Sequence, residues 1–127
     1  MSLAFTRPVS SRIAACELTH LGRAPIDAAR AASQHRAYEA AIATAGFDVV
    51  QLPPLDDHPD AVFVEDTAIL LGEHAIITRP GAESRRAEAE STAAALADRF
   101  TVHRLKRGTI DGGDVLRIGR TIYVGLS

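Results

Sequence analysis

The chain has 127 residues, the size of one domain, and its 46% hydrophobic and 24% charged content is that of an ordinary globular chain able to bury a core. Its 14 Lys and Arg against 16 Asp and Glu leave a net charge of −2, and the basic residues are scattered except at Arg85-Arg86 and residues 104–107, so nothing marks a nucleic-acid partner. The single cysteine, Cys16, cannot form an internal disulfide, the apolar runs fall short of the roughly 20 residues of a membrane helix, and no secretory pattern opens the chain, which together lead us to expect a cytoplasmic protein with no membrane partner.

In chain order, a β-branched run at residues 3–6 predicts a first strand. An Ala-rich stretch with Arg, Gln and Glu interspersed predicts a helix over residues 26–45, stopped by Gly46. A strand at 49–52 leads into LPPLDDHPD (52–60), a Pro- and Asp-rich loop, and then into FVEDTAILL (63–71). Strands are predicted at 68–71 and 75–78, a second helix over 84–100 with Ser84 as N-cap and Glu88 and Glu90 near its positive end, and further strands at 101–105, 115–118 and 121–124.

Two of these strand pairs are copies of one hairpin. TAILLGEHAIIT (67–78) and DVLRIGRTIYVG (114–125) superpose without a gap and match Gly72 with Gly119 in the turn, while Thr6-Arg7-Pro8 ahead of the first helix is echoed by Thr78-Arg79-Pro80 ahead of the second. The repeating unit is strand, helix, strand, hairpin. Small sheets of this kind need neighbours around an axis or along a stack, and two copies are too few, so the chain reads as truncated after its last strand. An ordinary α+β sandwich, or two chains completing each other as a homo-oligomer, are the other architectures the pattern allows.

Along a strand, successive side chains point to opposite faces, so one of Glu65 and Asp66 is expected to face inward, where an unpaired carboxylate costs several kcal/mol. Pairing with Arg79 or Arg85, or plain solvation at a strand end, would remove that cost. Asp111-Gly112-Gly113 occupies the corresponding place in the next unit, so units set around an axis would bring these carboxylates together into a site for a cation. A metal or an organic guanidinium would serve, although no His or Cys lies at ligand spacing and no calcium-loop pattern is present. Gly112-Gly113 would admit a close backbone approach to a ligand, or simply form a turn. Arg85-Arg86, at the end of a helix where cations are disfavoured, points to an anion or to a solvated surface pair.

Taken together, FVEDTAIL, AIITRPGAESRR and TIDGGDVLRIGRTIYVGLS, with LTHLG (18–22) and LPP (52–54), resemble the dimethylarginine dimethylaminohydrolase family of the guanidino-group-modifying (amidinotransferase, or pentein) superfamily. The motifs run in family order along essentially the whole chain but match only the first half of the family's length. The resemblance implies about half of a pseudo-fivefold α/β propeller, residues 1–127 being the N-terminal half of a single domain. It also implies hydrolysis of a methylated arginine to citrulline and a methylamine through a cysteine-linked intermediate, without metal or organic cofactor. It assigns the guanidinium to Asp66 with Glu65 beside it, support of the catalytic histidine to Asp111 (where many members have Glu), and the substrate α-carboxylate to Arg85. The α-amino group falls to the Leu18 carbonyl and to Asp60, Leu18 lying in a lid segment that is shorter here.

The family's catalytic histidine, nucleophilic cysteine and second carboxylate-binding arginine have no counterpart in these residues; Ser127 resembles the first residue of the stretch that brings that arginine. The chain alone is therefore expected to be inactive. Cys16 with His20 four residues on would form a thiol–imidazole pair on a helical turn, but neither has an orienting partner, and an inert, partly buried thiol is the expected state. His35, His58, His74 and His103 read as dispersed surface or capping residues. The competing readings are a non-catalytic binder of arginine-like ligands through Asp60, Asp66 and Arg85, and an interaction module that pairs through open sheet edges.

Overall fold

The computed structural model describes residues 2–18 and 20–126. The chain divides into two compact units, residues 1–62 and 63–127.

The first unit is a parallel crossover. Strand β1 (Ser2–Thr6) pairs with β2 (Phe47–Gln51), in register from Ser2 opposite Phe47 to Thr6 opposite Gln51. Between them lies helix α1 (Ala28–Thr44), capped by Asp27, whose carboxylate accepts the Arg30 amide at 3.0 Å, and ended at Gly46 in the left-handed conformation (φ 94°) that its missing Cβ permits. The cap explains why the helix starts two residues later than the Ala-rich composition suggests. Glu39 ties the helix to the C-terminal ends of both strands, accepting from Thr6 Oγ1 at 2.6 Å and Gln51 Nε2 at 3.1 Å. Partial burial pushes its pKa up, but these hydrogen bonds and nearby His35 outweigh it and hold the carboxyl below its ordinary value. Asp56 pins the following loop, accepting from the Ser11 amide and hydroxyl at 2.8 and 2.7 Å. Ile13, Cys16, Leu52 and Ala61 are the unit's buried apolar residues.

The second unit opens with a 3₁₀ turn (Val64–Thr67), followed by the hairpin β3 (Ala68–Leu71) and β4 (His74–Ile77). Strand β4 then begins a second parallel crossover through helix α2 (Arg86–Leu96) to β5 (Thr101–Arg104), giving a sheet of order β3-β4-β5. A 3₁₀ turn (Gly112–Asp114) and the hairpin β6 (Val115–Ile118) and β7 (Thr121–Val124) follow. The two hairpins have equivalent registers and the same turn, Gly72 and Gly119 both at φ 59°. The repeat read from the sequence is thus a structural one, with β4 serving as the second strand of one hairpin and the first strand of the next crossover.

Helix α2 differs from its prediction at both ends. A 3₁₀ turn (Glu83–Arg85) precedes it, so Ser84 sits inside that turn and no side chain caps either element. The Arg99 and Phe100 amides close back on the Leu96 carbonyl at 3.0 Å, ending the helix four residues early. Its Ala89, Ala93 and Leu96 pack with Ala75 and Ile77 as the core of the unit, and the hydroxyls of Thr67 and Thr92 meet at 2.9 Å inside it. Two of the histidines expected to be dispersed meet instead: His74 Nδ1 and His103 Nε2 lie 3.1 Å apart across β4 and β5. Among the described residues no helix is long and apolar enough to cross a membrane.

Candidate functional site

The Glu-Asp pair does not lie on a strand. Residues 64–67 form a 3₁₀ turn, with the Asp66 amide donating to the Phe63 carbonyl at 3.2 Å and Thr67 Oγ1 to the Val64 carbonyl at 2.7 Å. Three residues per turn put neighbouring side chains about 120° apart rather than on opposite faces. Asp66 is turned inward: Oδ2 accepts from Arg85 NH1 at 2.7 Å and Oδ1 from the Gly113 amide at 3.0 Å. Glu65 is exposed by its surface area, yet partial desolvation, reinforced by the Asp66 charge, pushes its carboxyl above the usual range despite its own backbone hydrogen bond and Arg85.

Arg85 is the hub of this cluster. Nε donates to Glu88 Oε2 at 3.2 Å and NH2 to Glu88 Oε1 at 3.1 Å, a bidentate pair one helical turn apart, while NH2 also reaches the Phe63 carbonyl at 3.2 Å. Both partners are buried, Arg85 at 7% and Glu88 at 1% exposure. Burial alone would lower the arginine pKa, but the hydrogen bonds that Arg85 donates to Glu88 and Asp66 and the charges of those carboxylates raise it, so the guanidinium stays charged. Pairing Asp66 with Arg85 is one of the ways foreseen for removing the cost of an inward carboxylate. Sequence reading missed Glu88, which it placed only by its proximity to the helix start; the signal was its position three residues after Arg85.

Gly112 and Gly113 open the 3₁₀ turn ahead of β6, the turn being one of the two roles expected of them, and that turn packs against the one carrying Glu65 and Asp66. A Cβ on Gly112 would stand 2.0 Å from the Glu65 carbonyl oxygen, and one on Gly113 would stand 2.4 Å from Asp66 Oδ1. Neither glycine has a positive φ, so what demands glycine is space: the turns of the two successive repeats lie backbone against backbone. The corresponding turns of the two repeats therefore meet, but the cleft that Asp111 lines does not include Glu65 or Asp66. Asp111, just before the second turn, accepts from the Gly81 amide at 3.3 Å and lines a cleft of about 210 Å³ with Gly81, Asp114, Val124 and Gly125.

In the first unit Asp60 is buried, and each of its oxygens lies 3.1 Å from the Glu17 amide, which fixes the segment leading to Leu18. Leu18 itself is exposed. Arg23, not singled out from the sequence, adds a second tether through bonds to the Ala14 and Cys16 carbonyls at 2.5 and 2.9 Å. Cys16 is buried at the end of a 3₁₀ turn (Ile13–Ala15), and residues 16–18 are coil, so no helical turn joins it to His20. Thr19, within the LTHLG motif, and Ser127 lie outside the described residues. Among the described residues no three His, Cys, Asp or Glu side chains are grouped to hold a metal ion.

No family model matches the chain. It is 45% identical to an N(G),N(G)-dimethylarginine dimethylaminohydrolase of Streptomyces coelicolor over 96% of its length, and 40% identical to the Pseudomonas aeruginosa protein of the same name over 94%. It superposes on the P. aeruginosa enzyme, solved as a cysteine-to-serine variant complexed with citrulline, with a TM-score of 0.90 at 37% identity over 97% of the chain. Over nearly all of its own length the chain is similar to dimethylarginine dimethylaminohydrolases. It spans about half the length of the curated relatives it matches, 48% of each of the two named here. The mixed α/β fold of the dimethylarginine dimethylaminohydrolase family extends to the N-terminal domain of a cyanobacterial arginine dihydrolase, on which the chain superposes with a TM-score of 0.84 at 23% identity.

Proposed function

We propose that this chain is the N-terminal part of a cytoplasmic hydrolase that converts Nω-methylated arginine to citrulline and a methylamine. The observation that carries the reading is the Glu65–Asp66 turn, with Asp66 held by a buried ion-pair network and Glu65 beside it, in a chain 37% identical to a citrulline-bound relative. Asp66 and Glu65 receive the substrate guanidinium, whose planar fork of donors matches carboxylates. Asp111 orients a catalytic histidine, Arg85 holds the α-carboxylate, and in the first unit Asp60 and the Leu18 carbonyl hold the α-amino group. Histidine and nucleophilic cysteine are supplied from outside these 127 residues, which alone form no complete site. The thiolate adds to the guanidinium carbon, the methylamine leaves with a proton from the histidine, and water then attacks the thiouronium carbon, releasing citrulline and the thiol.

Solved relatives with this chemistry in view support the mechanism: one is a cysteine variant complexed with citrulline, and another a histidine variant in an adduct with S-methyl-L-thiocitrulline. The two strand-helix-strand-hairpin copies support the wider architecture, half of a pseudo-fivefold propeller within one domain completed by further copies of the unit. The test is citrulline release from asymmetric dimethylarginine by the polypeptide as its host produces it. Formation of citrulline and dimethylamine in equal amounts is expected. Absence of citrulline from methylated arginines and from arginine alike would refute the reading.

A further inference from the structure

Resting on that reading, we propose that Glu88 is a positioning residue that keeps Asp66 available to a cationic ligand by cancelling the charge of Arg85. Asp66 has a competitor for any incoming guanidinium, because Arg85 already presents NH1 to its Oδ2 at 2.7 Å. With Arg85 as its sole counter-charge, Asp66 would belong to a closed, neutral pair, and a second cation would gain little there. Glu88 changes that balance. Its two oxygens take Nε and NH2 of the same guanidinium from a site at 1% exposure, where Coulomb interactions are screened far less than at the surface. Arg85 and Glu88 form the neutral pair, and the charge of Asp66 remains for the ligand, with Glu65 adjacent.

The arrangement also fixes direction. A bidentate clamp on the Nε–NH2 edge holds the guanidinium against rotation in its own plane and so presents NH1 to Asp66. Glu88 is itself held in helix α2, and Thr92 one turn on links its backbone to the 3₁₀ turn that carries Asp66, through hydrogen bonds to the Glu88 carbonyl at 3.3 Å and the Thr67 hydroxyl at 2.9 Å.

The experiment compares binding of L-arginine with binding of citrulline, its nearly isosteric neutral counterpart, by calorimetry on the host-produced polypeptide with its nucleophile blocked. Glu88→Gln is expected to weaken arginine by about tenfold and leave citrulline within about twofold, the size of effect expected when one partly screened charge is removed near a ligand charge. A purely structural role would weaken both ligands equally, and that result overturns the proposal. Because Glu88→Gln leaves a buried arginine with one fewer counter-charge and can fail to fold, the double variant Arg85→Gln/Glu88→Gln provides a second measurement. It removes the pair without changing the net charge of the pocket, so both ligands lose affinity through the missing carboxylate contact but the arginine-to-citrulline ratio stays at the parental value. A tenfold fall in that ratio would also overturn the proposal. If the parent binds neither ligand, it is the functional reading that fails.

Discussion

Gly112→Ala tests the packing of repeat against repeat without touching any charge. The added methyl would stand 2.0 Å from the Glu65 carbonyl oxygen and 3.1 Å from that of Ala68. Ordinary contact between a methyl carbon and an oxygen is well above 3 Å, so more than an ångström of overlap must be relieved, and the obstructing atoms are backbone that cannot rotate aside. Overpacking of this sort costs about 1–3 kcal/mol or more. Elsewhere a Gly→Ala change at negative φ stabilises by roughly 0.4–1 kcal/mol through the unfolded chain. Gly22 is such a control, with nothing within 4 Å of its Cβ position and no positive φ. The expected separation between Gly112→Ala and Gly22→Ala is therefore about 1.4–4 kcal/mol, or roughly 5–20 °C in Tm for a domain of this size. Thermal denaturation followed by circular dichroism reads it directly. Melting of the two variants within about 2 °C of each other would refute the close approach of the two turns.

Glu65 carries a raised carboxyl pKa, so its ionised form opposes folding above that pKa; Glu65→Gln should raise Tm at neutral pH, with the gain shrinking as pH falls through the carboxyl range, while citrulline formation falls. Glu39 is the opposite case: its pKa is depressed, so its contribution is present above the ordinary carboxyl value and is lost as pH drops through the lowered one. Glu39→Gln should accordingly flatten the acid limb of a stability–pH curve, and an unchanged limb would contradict the assignment. Thr92→Val removes the partner of the buried Thr67 hydroxyl and should cost about 1 kcal/mol in urea denaturation at an unchanged m-value.

The hairpins were legible almost to the residue, because a gapless internal repeat fixes register and a shared turn glycine fixes the reversal: β3, β6 and β7 begin and end where the β-branched runs do. Helix α1 was legible from composition alone, its ends trimmed by the Asp27 cap. The 3₁₀ turns were not. FVED carries the apolar flanks of a strand, and nothing local distinguishes it from one, since what holds the turn is Arg85 from nineteen residues away and the Gly113 amide from the next repeat. The same long-range cause hid the purpose of Gly112-Gly113. Arg85 and Asp66 were both singled out as candidate site residues, yet their contact with each other was seen only as one of several ways to compensate a carboxylate, and Glu88 was missed because its burial depends on how α2 packs.

The division of Asp66 between Arg85 and the Gly113 amide has a spectroscopic consequence. A cation that recruits the carboxylate must redistribute both of its hydrogen bonds, so the Gly113 amide proton becomes a reporter of occupancy from the backbone of a different repeat. Its chemical shift and its exchange rate with solvent would register a ligand that never touches residue 113, which makes the seam between the two turns a gauge of how strongly the pocket is engaged.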